Sequence, residues 1–558
     1  MAIDSTLSST PKILIVGAGP SGLTLALSLL RNGVPVRIIE KTTHPRIGQR
    51  GAGLMPRSFE VFGLLGIADK VIARGRSIMK LRLWKMPGGV EVLKEMDMQT
   101  DTDPTPSIPY PNMRLCGQNN LDAIMQAELK EYGVSVEHGV RLDSFKQFPD
   151  HVQVKLSKQK LSTEELEHED TSYDYVVGCD GAKGVVRKLL GLTFLGQTTE
   201  ENFVVGDMKL EGLSDDRWHH WGDISDIFTG IRPTEDTGVF NFIIGGTKFE
   251  NHAEVAANDE VLKSFIEEHT GNQKDMKIKE FITYGHYRTN IRMVNKFWEG
   301  RVFVAGDAAH IHSPTGGQGL NTGVQDAFNL GWKLSLVTKG LSPASLLDTY
   351  NEERLPVVAE MLNITTGILN ATRAAPTGDD AWKRTGALKQ LGVNYRWSSI
   401  IVDEPKERLA QEGKPHCATS AYYVEVGGEV QAGDRAPDAM ALARPSRREG
   451  TTSLFKIFDA SRHTVLIFSD RIEGYQPFLS LVKAYPSELV RPILITSAGK
   501  GFSTDCDVFV DEEGHAQDAY RGPECTSGVF VIRPDGVVGA RVGNVDKLVR
   551  YFKGVFRG

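Results

Sequence analysis

The sequence predicts an α/β fold: a parallel sheet of βαβ units, interrupted by an inserted antiparallel sheet and followed by helices and a second α/β unit. Three observations carry this. Lys12 to Gly17 reads K-I-L-I-V-G, a continuous apolar strand of the kind buried on both faces of a parallel sheet. Two later runs, Tyr173 to Cys179 and Arg301 to Ala305, have the same short apolar character and stop at Gly or Asp. Between them the pattern changes to short strands, Phe203 to Leu210 and Val239 to Ile244, the second setting Phe240, Phe242 and Ile244 against Asn241 and Ile243.

The elements follow in chain order. An apolar helix from about Ser21 to Asn32 stops at Gly33, and Val36 to Glu40 is the next strand, so strand, helix and strand fit in some thirty residues as a right-handed βαβ unit. Helical sequence runs from Gly319 to about Thr372 with a break near Gly340 to Pro343. The expected division is 1–190 and 291–373 for the parallel-sheet domain and its helices, 191–290 for the inserted sheet, 374–432 for a Pro- and Gly-punctuated linker, and 433–558 for a compact α/β unit.

Bulk properties narrow the function. A chain of 558 residues needs more than one core, and a net charge of −7 does not favour nucleic acid or an anionic membrane surface. The first ten residues are polar, and the apolar run Leu23 to Leu30 is short and holds Thr24 and Ser28, so neither a signal peptide nor a membrane span is expected. Five cysteines (116, 179, 417, 506 and 525) are scattered, odd in number and never form C-x-x-C, which argues against a structural zinc site or a disulfide framework. The expectation is a cytoplasmic enzyme acting on a small molecule.

The first chemical signal is Gly17-Ala-Gly19-Pro-Ser-Gly22. In a Rossmann-like unit Gly17 permits the tight turn, Gly19 lets a pyrophosphate approach the backbone, and Gly22 lets helix and strand pack closely, with the phosphates facing free N–H groups at the helix start. Glu40 ends the next strand eighteen residues after Gly22, where a carboxylate accepts both ribose hydroxyls of an adenosine. FAD and NAD fit equally at this point. Gly306-Asp307 then closes the strand R-V-F-V-A, and Ser313-Pro314-Thr-Gly-Gly-Gln-Gly319-Leu320-Asn321 opens a helix. Asp307 suits a sugar-alcohol hydroxyl, and the bare N–H groups at Gly319, Leu320 and Asn321 suit the N1–C2 carbonyl edge of a reduced flavin, which carries negative charge.

Together with Cys179-Asp180-Gly181, Gly184 and Arg187, these motifs resemble the class A flavoprotein monooxygenases, which include para-hydroxybenzoate hydroxylase, phenol hydroxylase and the aromatic polyketide hydroxylases. The resemblance covers about residues 11 to 372. It implies an FAD-binding domain holding the inserted sheet as substrate domain. It also implies that NADPH or NADH, a transient co-substrate without its own glycine fingerprint, reduces the FAD, and that a flavin C4a-hydroperoxide then hydroxylates a phenolic or polyketide-type ring. Arg50-Gly-Ala-Gly53-Leu54 and Arg57 are similar to the family's loop over the flavin phosphates. By that likeness Arg50 and Gln118 hold FAD from two sides, and Asp180 lies near FAD and the passing nicotinamide. Phenol hydroxylase has an aspartate near the position of Ala52, so its substrate chemistry does not carry over. The tail from Ala432-Gly-Asp-Arg-Ala-Pro-Asp438 resembles the C-terminal thioredoxin-like domain of phenol hydroxylases, here without paired cysteines.

Other residues have two readings each. His310-Ile-His312 has metal spacing, yet the resemblance makes it flavin-loop scaffold, and no metal is expected. His219-His220-Trp221 reads as a half-buried surface pair or as part of a substrate pocket with Phe240, Phe242 and an overhanging Pro314. Cys179 reads as a small core residue, and Glu352-Glu353-Arg354 as a structural cap. An epoxidase, a Baeyer–Villiger catalyst and a non-catalytic FAD-containing partner remain alternatives; a halogenase is disfavoured because no W-x-W-x-I-P stretch exists. The catalytic base is not identified from sequence. The tail is expected to serve packing or a homodimer rather than redox exchange, so a Cys506→Ser, Cys525→Ser double variant retains full turnover in both reducing and oxidising buffer. Loss of turnover in that variant assigns the tail a thiol function.

Overall fold

The computed structural model describes residues 10–159, 166–312, 316–374, 386–412, 420–422, 429–445, 450–497, 506–521 and 528–557. Its first sheet has six strands, ordered Trp298–Glu299, Val302–Val304, Tyr175–Gly178, Ile13–Val16, Val36–Glu40 and Glu137–His138. All pairings are parallel except the hairpin of Trp298–Glu299 with Val302–Val304. Ile13–Val16 is central, with Ile13 opposite both Tyr175 and Val36, and every one of its residues is buried, as its unbroken apolar sequence requires. A three-stranded antiparallel sheet, Val140–Gln147, Val152–Gln159 and Leu166–Tyr173, lies between its later strands in sequence.

The helix Pro20–Arg31 crosses the helix Gly319–Thr338 at small residues: a Cβ on Gly323 or Gly331 would reach Ser21 Oγ or Ser28 Oγ respectively. The second helix is buried continuously from Asn321 to Leu336. It ends before Gly340, in left-handed conformation (φ +74°), and the chain resumes in the long helix Asp348–Ala374, which accommodates Pro356.

The antiparallel sheet has eight strands, ordered His310–Ile311, Lys277–Val294, Phe194–Glu211, Val239–Gly246, Phe228–Pro233, Arg217–Gly222, Lys80–Trp84 and Val92–Met96. The last two come from ahead of the expected boundary at 191. Val92–Met96 had no period-2 signal because four of its five residues are exposed. One face of this sheet packs on the helix Asp259–His269, burying Val204, Trp221, Ile231, Phe242 and Ile244 against Leu262 and Ile266. Among the described residues no helix is long and apolar enough to cross a membrane.

The C-terminal sheet has seven strands, ordered Val402–Asp403, Val538–Val542, Val529–Ile532, His463–Phe468, Val490–Thr496, Asp507–Asp511 and Leu442–Ala443. Val402–Asp403 belongs to the stretch expected to be linker; it pairs in parallel with Ala540 and Arg541, and Asp403 accepts from Arg541 at 3.0 Å. The core of this unit also takes in Trp332, Leu336 and Leu346 from the helical segment. Beside Trp332 lies a sealed ionic cluster. Glu353 Oε1 accepts from Arg533 Nη1 (2.8 Å) and Ser398 Oγ (2.7 Å), and Oε2 from Arg533 Nη2 (2.9 Å), Lys333 Nζ (2.7 Å) and Asn329 Nδ2 (2.6 Å).

These donors hold the Glu353 carboxyl well below its ordinary pKa despite complete burial, with Arg533 the largest opposing influence. A depressed carboxylate contributes stability that is present above the unfolded pKa of 4.5 and is lost as pH falls toward the folded value. Glu353→Gln therefore costs roughly 3–5 kcal/mol at pH 7, since buried Lys333 loses its carboxylate and Arg533 keeps only Asp535. Urea unfolding at successive pH values should show the gap to wild type narrowing below pH 4.5. A gap of constant size across that range contradicts the ionised state of Glu353.

Candidate active site

The glycine turn has the geometry its spacing implies. Gly17 adopts φ +105°, and a Cβ there would collide with the Cys179 carbonyl; one on Gly22 would collide with the Gly17 carbonyl. Gly19 differs, since the nearest atom to its Cβ position is Arg46 Nη2 at 3.4 Å. The helix Pro20–Arg31 starts with no side-chain cap, so its first N–H groups face the same space as that guanidinium. Glu40 is fixed beside the turn, accepting from the backbone N–H of Ala18 and Thr42, each at 3.1 Å.

Arg46 donates to Asp122 at 3.0 Å, and burial pushes the Asp122 carboxyl up to about 6 against the pull of Arg46. Arg50 takes a left-handed backbone (φ +47°), a conformation that a non-glycine residue adopts only when its surroundings hold it there. Its side chain is solvent-accessible although crowded by protein atoms, and its pKa is lowered by partial desolvation and then by Arg46. Two cations beside an uncapped helix start form a setting that an anion relieves, and a pyrophosphate fits it. Gln118 opens the helix Gln118–Glu131, its N–H donating to the Gln49 carbonyl at 3.0 Å and its Nε2 at 3.4 Å from the Cβ position of Gly51. Gly53 pairs with Leu115 at the far end of the same loop. Arg57 turns elsewhere: it is buried against Glu60 (2.7 Å) and the Asp535 carbonyl (3.1 Å), at the C-terminal unit and not over phosphates.

Asp307 is the only exposed residue between Val302 and His310. Crowding by neighbouring atoms raises its pKa while His310, Arg50 and Arg46 oppose that rise; solvent access is the property that matters for accepting a sugar hydroxyl. Beneath it, buried Asp326 accepts from the Gly306 N–H (3.2 Å), pairs with His310 Nε2 (2.6 Å) and accepts from Arg354 Nε (2.7 Å). His310 is thereby held inside this network, and among the described residues no group of three or more His, Cys, Asp or Glu side chains is placed to hold a metal ion. Asp180 caps the short helix Val185–Leu189, its Oδ2 accepting from the N–H of Val185 (2.6 Å) and Val186 (3.1 Å). Arg187 then ties this loop to the other by donating to the Ala308 carbonyl at 3.1 Å.

Gly316 and Gly317 are left-handed (φ +86° and +63°) and turn the chain into the helix start. A Cβ on Gly319 would collide with His312, and Leu320 packs partly against the core. The Asn321 side chain is fully used within the protein: Oδ1 accepts from Met55 N–H (2.8 Å) and Ser58 Oγ (2.7 Å), and Nδ2 donates to the carbonyls of Gly53 (2.9 Å) and Gly317 (2.8 Å). What this helix start offers a ligand is backbone N–H, at residues 319–321.

The sheet face opposite the helix Asp259–His269 meets this region through Asp207, whose Oδ2 accepts from Gln49 N–H at 2.7 Å and whose Oδ1 accepts from Asn241 Nδ2 at 2.8 Å. Cross-strand register puts His220 and Arg232 on that face, Arg232 directly opposite Asn241. His220 stacks on Phe228 (5.2 Å), and burial lowers its pKa to about 4, so it is neutral at pH 7. Trp221 and Phe242 lie on the other face, where Trp221 Nε1 donates to the Gly89 carbonyl at 2.9 Å; they back the sheet and do not line a pocket against Asp207 and Gln49. The apolar alternation of Phe240 and Phe242 marks the helix-covered side, which explains the difference. His219 and His220 are both buried, which removes the surface-pair reading. Pro314 lies outside the described residues.

Sequence reasoning missed Arg232. It is 4% exposed, donates to one distant acceptor (Pro233 carbonyl, 3.4 Å), and lies over the Trp218 ring at 5.6 Å. Among the described residues it forms no contact ion pair; desolvation lowers its pKa, while the Glu235 and Asp207 carboxylates, acting from longer range, oppose that fall. A buried guanidinium whose carboxylates stand beyond contact gains further from any acceptor brought within hydrogen-bond distance.

Comparison with known proteins places this geometry. Residues 10–365 match the FAD binding domain family. A flavin-dependent monooxygenase of Mycobacteroides abscessus is 35% identical over 470 residues, covering 82% of this chain and 88% of that protein. Pentachlorophenol 4-monooxygenase of Sphingobium chlorophenolicum is 28% identical, covering 96% and 94%. The crystal structure of the flavin-dependent monooxygenase PieE, solved with FAD and substrate, superposes with a TM-score of 0.80 over 98% of this chain and all of that one, at 21% identity. The chain belongs to the FAD-dependent monooxygenases built on this domain.

Proposed function

We propose that this enzyme uses NAD(P)H and O2 to hydroxylate a phenolic or polyketide-type aromatic substrate whose oxygen carries negative charge, held between the flavin helix start and the Arg232 face of the inserted sheet. The observation that carries the reading is Arg232 itself, a buried cation on the face that meets Gln49, with one long hydrogen bond and with Asp207 and Glu235 acting on it only from beyond contact.

The described residues fit FAD. Arg46, Arg50 and the N–H groups following Gly19 take the pyrophosphate, Glu40 the adenosine ribose, Asp307 the ribitol, and N–H groups 319–321 the pyrimidine edge. When bound, FAD accepts hydride from NAD(P)H and activates oxygen. The chain's own part is to hold, orient and dehydrate. A phenol has a pKa near ~10 in water, and its anion is the more electron-rich ring. Arg232 favours that anion by charge, so the phenol proton leaves more readily next to it. His220, neutral at pH 7, offers a hydrogen bond but no charge change in the physiological range.

Asp307→Ala removes a charge-assisted acceptor and should weaken FAD retention by roughly 1.5–3 kcal/mol, read as flavin content after gel filtration. Equal flavin content in the variant contradicts the ribitol assignment. Arg232→Met should raise KM for the aromatic substrate by about 10- to 100-fold, with FAD content unchanged. Assays of substrate-dependent NAD(P)H oxidation, with mass spectrometry for a gain of one oxygen, check this across a panel of phenols and polyketide aromatics. An unchanged KM removes Arg232 from the substrate site. His220→Gln should leave the pH–rate profile above pH 6 unshifted, because the wild-type ring protonates only near 4.

A further inference from the structure

The C-terminal unit ends its central hairpin with the turn Arg533-Pro534-Asp535-Gly536, closed by Gly536 N–H to the Arg533 carbonyl (2.9 Å) and Arg533 N–H to the Val537 carbonyl (2.8 Å). This turn touches two segments that serve the flavin site. On one side Arg533 grips Glu353 bidentately at 2.8 and 2.9 Å and lies over Trp332 of the flavin helix at 5.1 Å. Asp535 Oδ2 accepts from Asn329 of the same helix at 3.3 Å. On the other side the carbonyl of Asp535 accepts from Arg57 (3.1 Å), and Gly536, left-handed at φ +69°, would bring a Cβ to 2.9 Å from Leu64. Arg57 and Leu64 belong to the helix Pro56–Leu64, which continues directly from the Arg50–Met55 loop. Beside the turn Arg435, bridged in antiparallel to Val537, pairs with Glu60 of that helix at 2.7 Å.

We infer that the Arg533–Gly536 turn is a positioning element of the flavin site, with Arg533 the positioning residue that sets the Arg50–Met55 loop and the Gly319 helix start against one another. Two routes lead from it to the cofactor. Glu353 is followed in the chain by Arg354, which holds Asp326, which in turn holds the Gly306 N–H next to Asp307. The loop and the helix start are themselves stitched by Asn321 to Met55, Ser58 and Gly53. The turn thus closes a ring: C-terminal unit, flavin helix, loop and back through Arg57. Arg533, Glu353 and Lys333 have no exposed side-chain surface, so the arrangement is fixed and water does not substitute for a missing member. The C-terminal unit is on this view part of the FAD site without touching FAD.

The inference rests on the FAD assignment, and the test separates the two. Apo wild type, Arg533→Met, Arg533→Lys and Arg435→Met are titrated with FAD by fluorescence quenching, with circular dichroism and melting temperature recorded for each. Wild type binding FAD tightly upholds the cofactor assignment; failure to bind refutes that assignment first. Given tight wild-type binding, Arg533→Met is expected to weaken FAD by about 3- to 30-fold with secondary structure retained, the size of a coupling carried through a packed network. Arg533→Lys, which keeps the charge but not the fork, recovers part of the loss. A lowered melting temperature with unchanged FAD affinity overturns the inference, since a purely structural role predicts that outcome. Should Arg533→Met not fold, Arg435→Met decides, because it loosens the Pro56–Leu64 helix and leaves the Glu353 cluster intact. Weaker FAD binding there by about threefold supports the inference, and unchanged binding overturns it.

Discussion

The helix Gly319–Thr338 must satisfy two surroundings at once. Its first residues leave backbone N–H groups without a side-chain cap, while Trp332 and Leu336 near its other end lie in the C-terminal core. Between those ends it is sealed against the helix Pro20–Arg31, close enough that Gly323 and Gly331 leave no room for a Cβ. Such a helix cannot slide or rotate without disturbing both ends, because packed interiors switch between discrete arrangements and do not deform smoothly. The glycine turn, the Asp307 strand end and the C-terminal unit are all referenced to it.

Charge is distributed on the same plan. On the proposed reading the ligand-facing charges make few close contacts: Asp307 is exposed in a buried run, Arg50 is exposed in the left-handed region, and Arg232 is buried with one long hydrogen bond and its carboxylates beyond contact. Where only geometry is needed, charges are buried and saturated, as with Asp326 between His310 and Arg354, and Glu353 between Lys333 and Arg533. Breaking a saturated pair is expensive, while an unsaturated group gains when a ligand arrives.

The glycine turn was legible in the sequence because its geometry is local. Gly17, Gly19 and Gly22 fall in one turn, Glu40 follows at a fixed interval, and Asp307 ends an apolar strand, so spacing alone implied a shared site. The substrate side was not legible for a geometric reason. Alternation in Val239–Gly246 separates two faces but does not say which one meets the Gln49 loop, and the helix Asp259–His269 claims the apolar face with Phe242 and Trp221. Arg232 in Ile-Arg-Pro reads as an ordinary surface residue until register sets it opposite Asn241. The contacts of the tail were equally hidden: Glu352-Glu353-Arg354 reads as a structural cap, and nothing local in Arg533-Pro-Asp-Gly536 points to it, until tertiary contact buries Glu353, Arg354, Arg533 and Asp535 together.

Hydrogen–deuterium exchange with and without FAD tests most directly whether one helix links the cofactor to the C-terminal unit. Linkage is reciprocal, so if the C-terminal unit supports FAD binding, FAD must stabilise the C-terminal unit. Exchange is expected to slow on FAD addition at residues 316–321 and 50–55, and also along 529–542 and the second half of the Gly319–Thr338 helix. Slowing confined to residues before about 330, with the 529–542 hairpin unchanged, would show the two ends of the helix to be independent.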